Sequence, residues 1–212
     1  MRDHRGVGGV DWSCGVNVNE QLWWQVARSS GIVGWALLSA AVIWGLLVST
    51  KVLEGRPTPR WLLDLHRFLG GLATWFVVLH MGALVADSHT DFGLSDLLVP
   101  FATGGEQWPI TAGVVGFYLL VAVELSSLAM RHMPRRWWRW IHLSSFASFW
   151  LATLHGIAAG SSVANVPLRI GYVVVGGVVL FLTLVRAFTL GSRYRQGRPR
   201  LPARRVAASP PA

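Results

Sequence analysis

The chain has 212 residues, a formal net charge of +9, 52% apolar side chains and only 14% charged ones. With 12 tryptophans suited to interfacial belts, that balance argues against an ordinary soluble domain and for an all-α integral membrane protein. The basic residues gather in short connections and in a Pro/Arg tail, so anionic lipid accounts for them better than nucleic acid, and no nucleic-acid partner is expected.

Residues 1–21 read as a flexible extracytoplasmic segment, because Arg2, Asp3, Arg5 and Asp11 interrupt the apolar core that a signal peptide needs. Cys14 is the only cysteine, so an intrachain disulfide is excluded. Leu22, Trp23 and Trp24 suit the membrane interface just before a first span. Five stretches are long enough to cross a bilayer, near 31–51, 61–86, 110–131, 137–160 and 168–189. Residues 191–212 form a basic tail, expected in the cytoplasm, with no Gly-x-Gly-x-x-Gly fingerprint of a dinucleotide-binding unit.

Charge orients these spans. Lys51, Arg56 and Arg60 face one acid, Glu54, in the first connection, and Arg131, Arg135, Arg136 and Arg139 stand without an acid in the third. The tail adds Arg193, Arg195, Arg198, Arg200, Arg204 and Arg205, whereas connection 87–107 has Asp87, Asp91, Asp96 and Glu106 and no Lys or Arg. The positive-inside rule then places the N-terminus outside and the C-terminus in the cytoplasm of a multi-pass cell-membrane protein.

Histidines carry the chemistry. His66 and His80 lie fourteen residues apart in the second apolar stretch, and His142 and His155 thirteen apart in the fourth. At ~1.5 Å per residue the pairs span ~21 and ~20 Å, close to the separation of the two faces of a ~30 Å hydrocarbon core. Ionisable groups at such depths usually mark a site, and imidazole is a common axial ligand of heme iron. One span intervenes, so the two stretches run in the same direction. Matching by depth pairs His66 with His142 on the inner side and His80 with His155 on the outer side. Four unrelated histidines bonded to neighbours is the alternative, and the paired depths argue against it. Without a Cys-x-x-Cys-His motif, heme would be held by coordination alone. One point stays open: a step of thirteen rotates by about −140° on an ideal helix, so either that helix is irregular or two hemes approach it from different azimuths.

The runs HRFLGGLATWFVVLH and HLSSFASFWLATLH, with these spacings, resemble the ferric reductase-like transmembrane domain, shared by NADPH oxidases, eukaryotic ferric reductases and bacterial heme-membrane subunits. The resemblance covers roughly residues 22–190. It implies two b-type hemes that pass electrons from the cytoplasmic side to the outer face, and with the five apolar stretches the expected fold is a five-helix bundle enclosing stacked hemes. His66, His80, His142 and His155 match the axial-ligand positions. Ala27-Arg28 is similar to an Ala-Arg that opens the first helix of the oxidases, which implies that Arg28 meets an outer-heme propionate or an anionic species there. An ordinary boundary arginine is the alternative. Arg67, next to His66, is placed to meet an inner propionate, and Arg169 to do likewise outside.

Departures from the oxidases are visible. Leu84 stands where some oxidases have a further histidine, and Ser148 where an aromatic commonly sits between the hemes, with Phe146, Phe149, Trp150, Trp75 and Phe76 nearby. Glu124 lies within the third span, where a carboxyl is protonated, paired with an arginine or turned towards a heme. His89 and His132 read as solvated loop residues. Asp87, Ser88, His89 and Asp91 are a weak metal-attracting cluster. Gly70, Gly71, Gly113 and Gly116 read as close-packing points that also make room for porphyrin.

The leading expectation is the heme subunit of a ferric or metal reductase-like oxidoreductase, an electron-transfer protein. Its donor is a cytoplasmic flavin reductase and its acceptor ferric iron, a redox protein or oxygen. The alternatives are a quinol-linked cytochrome b anchor serving a secreted redox enzyme, and a superoxide-generating core. A heme-free transporter or structural subunit is disfavoured, since no inverted repeat is evident.

Overall fold

The computed structural model describes residues 18–49, 60–87, 93–102, 108–159 and 165–196, and among these there is no strand. The helices are α1 (Val18–Ser49), α2 (Arg60–Ala86), the short α3 (Leu94–Leu98), α4 (Trp108–Leu128), α5 (Arg135–Ala158) and α6 (Val166–Gln196), with a 3-10 turn at Met130–His132. Local sequence explains several starts. Pro109 and Pro167 occupy the first turns of α4 and α6, where a missing N–H costs nothing. Asn165 Oδ1 accepts the Leu168 N–H at 3.3 Å and so caps α6. Pro134, with extended backbone, sets off α5 from the preceding turn.

Among the described residues, four helices are long and apolar enough to cross a membrane: Gln21–Ser49, Arg60–Ala86, Trp108–Leu128 and Val166–Thr189. The expected span at 137–160 is helical, as α5, but is not one of the four. Its first turns carry Arg135, Arg136 and Arg139, and two histidines and three serines follow, which dilutes its apolar character. The first helix also begins earlier than the sequence suggests. Leu22, Trp23, Trp24 and the Ala27-Arg28 pair lie within α1 and not in a separate interfacial segment. Nothing between residues 20 and 30 breaks a helix, so α1 includes them.

Large apolar side chains such as Trp75, Val173, Phe181 and Phe188 are exposed along the helices, as a lipid-facing surface requires. Exposed tryptophans mark both ends: Trp23, Trp24 and Trp108 at one, Trp61, Trp137 and Trp140 at the other. Arg60, Arg67, Arg131, Arg135, Arg136 and Arg139 share the second end, whereas Asp87 and Asp96 lie at the first.

Helices α1 and α2 form one antiparallel hairpin and α4 and α5 another. Going up α1, Gly31, Gly34 and Gly45 meet His80, Val77 and His66 in turn. Going up α4, Gly113 meets His155 and Gly116 meets Leu151 and Ser148. Helix α6 packs against α1 and α5. The core joins all five long helices through Leu38, Val42 and Leu46 of α1, Ala73 of α2, Leu120 of α4, Phe149 of α5 and Val179 of α6. Ala73 and Phe149 are fully buried, and each lies midway along its helix between that helix's two histidines. The core is therefore a plug between two histidine levels.

Candidate functional site

Helices α2 and α5 bring the four histidines together as two facing pairs. The rings of His66 and His142 have centroids 5.9 Å apart, and those of His80 and His155 6.3 Å apart. An imidazole nitrogen sits ~1.1 Å from its ring centre and binds a metal at ~2.0 Å, so two imidazoles on opposite sides of one ion place their centres ~6.2 Å apart. Both pairs match that separation. Within each pair the planes are steeply inclined, at 69° and 73°. Among the described residues no group of three or more His, Cys, Asp or Glu could hold a metal ion, so each level offers two protein donors. That donor set fits an ion whose other positions come from a macrocycle, as in bis-imidazole heme.

Second partners orient three of the rings. The Nδ1 atoms of His66, His80 and His155 lie 3.1, 2.7 and 2.8 Å from the carbonyl oxygens of Ala41, Ala27 and Pro109. A carbonyl can only accept, so Nδ1–H donates and Nε2 keeps its lone pair, the tautomer a metal ligand needs. His142 differs. Its Nδ1 is buried with no hydrogen-bond partner, and its ring stacks on Trp138 at 5.0 Å and 22°. Helix α5 is unbroken from Arg135 to Ala158. No break in the helix therefore accompanies the thirteen-residue step.

Around the His80–His155 pair lies a cavity of about 390 Å³, lined by Arg28, Gly31, Trp35, His80, His155 and Tyr172 among others. Such a volume suits a cofactor-sized ligand. Its wall is cross-braced. Trp35 Nε1 donates to Thr153 Oγ1 at 3.0 Å, and the Trp35 ring packs against that of Tyr172 at 4.2 Å. Gly156 makes room for the Tyr172 hydroxyl, since a Cβ there would come within 2.5 Å of it. On the cavity wall, Ser148 donates to the Gly116 carbonyl at 2.9 Å, and next to it Phe149 fills the midplane. Of the aromatics named from sequence, Phe149 is the one fully buried there; Trp75 is 66% exposed.

The remaining residues divide by position. Arg28 lines the cavity around His80 and His155. Arg67 is exposed, with its guanidinium 3.9 Å from Asp64. Arg169 lies in the first turn of α6 and His132 is exposed in the 3-10 turn. Glu124 is half-buried, and its carboxyl oxygen packs against Gly70 of α2, one turn from His66; no described arginine pairs with it. Gly71 has open space where a Cβ would lie, so it is not a close-packing point. Asp87 is buried at the end of α2, whereas Ser88, His89 and Asp91 of the suggested cluster lie outside the described residues, as do Cys14 and the distal tail. Sequence reasoning missed Trp35, Thr153 and Tyr172. A polar group inside an apolar span was the available signal.

A family model for the ferric reductase like transmembrane component matches residues 30–154, more than half of the chain. No curated protein and no solved structure matches it. The matched stretch contains His66, His80 and His142 and stops one residue before His155. With that match, the chain belongs to the ferric reductase-like transmembrane family of electron-transfer oxidoreductase components.

Proposed function

We propose that residues 22–190 form a five-span core that carries electrons through two b-type hemes from a cytoplasmic donor to an extracytoplasmic acceptor. The observation that carries this reading is the pair of facing imidazole sets at 5.9 and 6.3 Å. His66 and His142 would hold an inner heme and His80 and His155 an outer one. Heme held there would supply one-electron redox chemistry. The chain's own task is then to fix the ligands, exclude water and separate the levels. Ala41, Ala27 and Pro109 carbonyls fix three rings. The Phe149 and Ala73 plug keeps the midplane dry.

In this reading α5 is the fifth span, with Ser148 bonded to α4, Thr153 to α1 and its histidines facing α2, and with the arginine-rich end in the cytoplasm. The protein sits in the cell membrane, with 1–21 outside and 191–212 inside. A cytoplasmic flavin reductase with an acidic face suits the exposed Arg135, Arg136 and Arg139. The chain's contribution to acceptor choice would be the charge it places around the His80–His155 end. The acid-rich 87–107 connection favours cations, so chelated ferric iron suits it better than an anion. Arg28 is placed to hold an outer propionate.

Glu124 favours a second reading, in which a quinol is the donor. A carboxyl inside an apolar helix, one turn from His66, can accept a proton released when a quinol is oxidised at the inner level. Purified protein expressed with ample heme should hold two non-covalent hemes per chain, low-spin and six-coordinate, by pyridine-haemochrome assay and paramagnetic resonance. No heme would sink the proposal, and one heme per chain would remove the relay.

A further inference from the structure

Each of the three ordered imidazoles lies against a glycine. A Cβ built at Gly31 would come 2.9 Å from His80 Nδ1, one at Gly113 2.8 Å from His155 Nδ1, and one at Gly45 3.1 Å from His66 Cε1. Each glycine stands four residues after the carbonyl its histidine uses: Ala27 and Gly31, Ala41 and Gly45, Pro109 and Gly113. In a helix that carbonyl already accepts the glycine's own N–H, which leaves one lone pair at the helix surface. A side chain on the later residue would cover it. Glycine exposes it.

We propose that Gly31, Gly45 and Gly113 are positioning residues for the axial ligands, each opening a notch in which an imidazole donates Nδ1–H to the carbonyl one turn earlier and so aims Nε2 at the iron. The inference rests on the heme reading above and adds what holds the ligands in place. Gly31 and Gly45 are fourteen residues apart, the same step as His66 and His80, so one register of the antiparallel α1–α2 hairpin seats both rings. On α5 the step is thirteen, and only His155 finds a notch. Thirteen residues beyond Gly113, α4 carries Ser126, whose hydroxyl bonds within its own helix to Val123. His142 accordingly has its buried Nδ1 unpartnered and leans on Trp138. The outer heme has two carbonyl-anchored ligands and the inner heme one.

A hydrogen bond to Nδ1–H makes imidazole a stronger donor to ferric iron. Gly31→Ala and Gly113→Ala should therefore each raise the midpoint potential of the outer heme alone, and Gly45→Ala that of the inner heme alone. The expected change is tenfold in the ferrous-to-ferric ratio at a fixed potential, about 59 mV for one electron. The low-spin g-values of the same heme should shift with it. Gly82→Ala and Gly177→Ala, at positions with open space, are the controls and should move neither heme. Unchanged potentials and g-values in all three notch variants, with heme retained, would overturn the proposal. If a variant fails to fold, redox-difference infrared spectra of ¹⁵N-histidine-labelled wild-type protein decide the matter. Carbonyl-bonded Nδ1–H at both outer ligands and at one inner ligand supports the notches, and free N–H at the outer ligands refutes them. Absence of heme from the wild type would refute the heme reading itself, which keeps the two failures distinct.

Discussion

His80→Ala and His155→Ala should produce the same protein: one that has lost its outer low-spin heme and keeps the inner one almost unchanged. The rings of these residues face each other at 6.3 Å, so removing either leaves one axial donor at that level. The inner pair is fourteen residues away along α2. At an effective dielectric constant of about 20, unit charges ~21 Å apart interact by ~0.8 kcal/mol, or ~35 mV for one electron. Loss of the outer cationic centre should thus lower the inner midpoint by no more than about that amount. Potentiometric titration with optical and paramagnetic-resonance readout would follow both hemes in all four histidine variants. Two groups of two are expected, with His66→Ala matching His142→Ala. Spectra in which His66→Ala matched His155→Ala, or an inner midpoint that moved several times ~35 mV, would refute the pairing by depth.

Phe149→Ala should destabilise the bundle by roughly 3–5 kcal/mol, the usual cost of emptying a buried aromatic site, while Phe149→Leu recovers most of it; thermal melts in detergent measure both. Thr153→Val strands the Trp35 N–H and should cost about 1 kcal/mol, between the ~0.6 kcal/mol average for interhelical bonds in membranes and the ~1–3 of a stranded buried donor. Unchanged melting of Thr153→Val would show that the brace carries no weight. Arg28→Ala should lower the outer-heme midpoint, because a nearby cation favours the ferrous state, and slow the outer step without affecting inner-heme reduction; stopped-flow spectra resolve the two. In oriented proteoliposomes supplied with a donor, ferrous iron should be trapped by an impermeant chelator on the face bearing the 87–107 connection, and its appearance on the arginine-rich face would reverse the assigned direction.

Much of this molecule was legible in one dimension because a membrane reduces folding to a few linear rules. Apolar length marks the helices, arginine placement orders their ends, and residue number along a helix is depth, so equal depths could be read for His66 with His142 and for His80 with His155. Tertiary structure decided everything that depends on azimuth. Sequence gives the thirteen-residue step on α5 but not which neighbour each ring meets. The bundle seats His155 on the Pro109 carbonyl and leaves His142 against Trp138. Glycines at 31 and 45 were visible as letters. That they open two carbonyls to two imidazoles follows only from the register in which α1 lies against α2, and that register is set by packing around Ala73, Leu38 and Leu46 and not by any local propensity. Trp35, Thr153 and Tyr172 share the same limit: three helices supply them, and only their packing makes them neighbours.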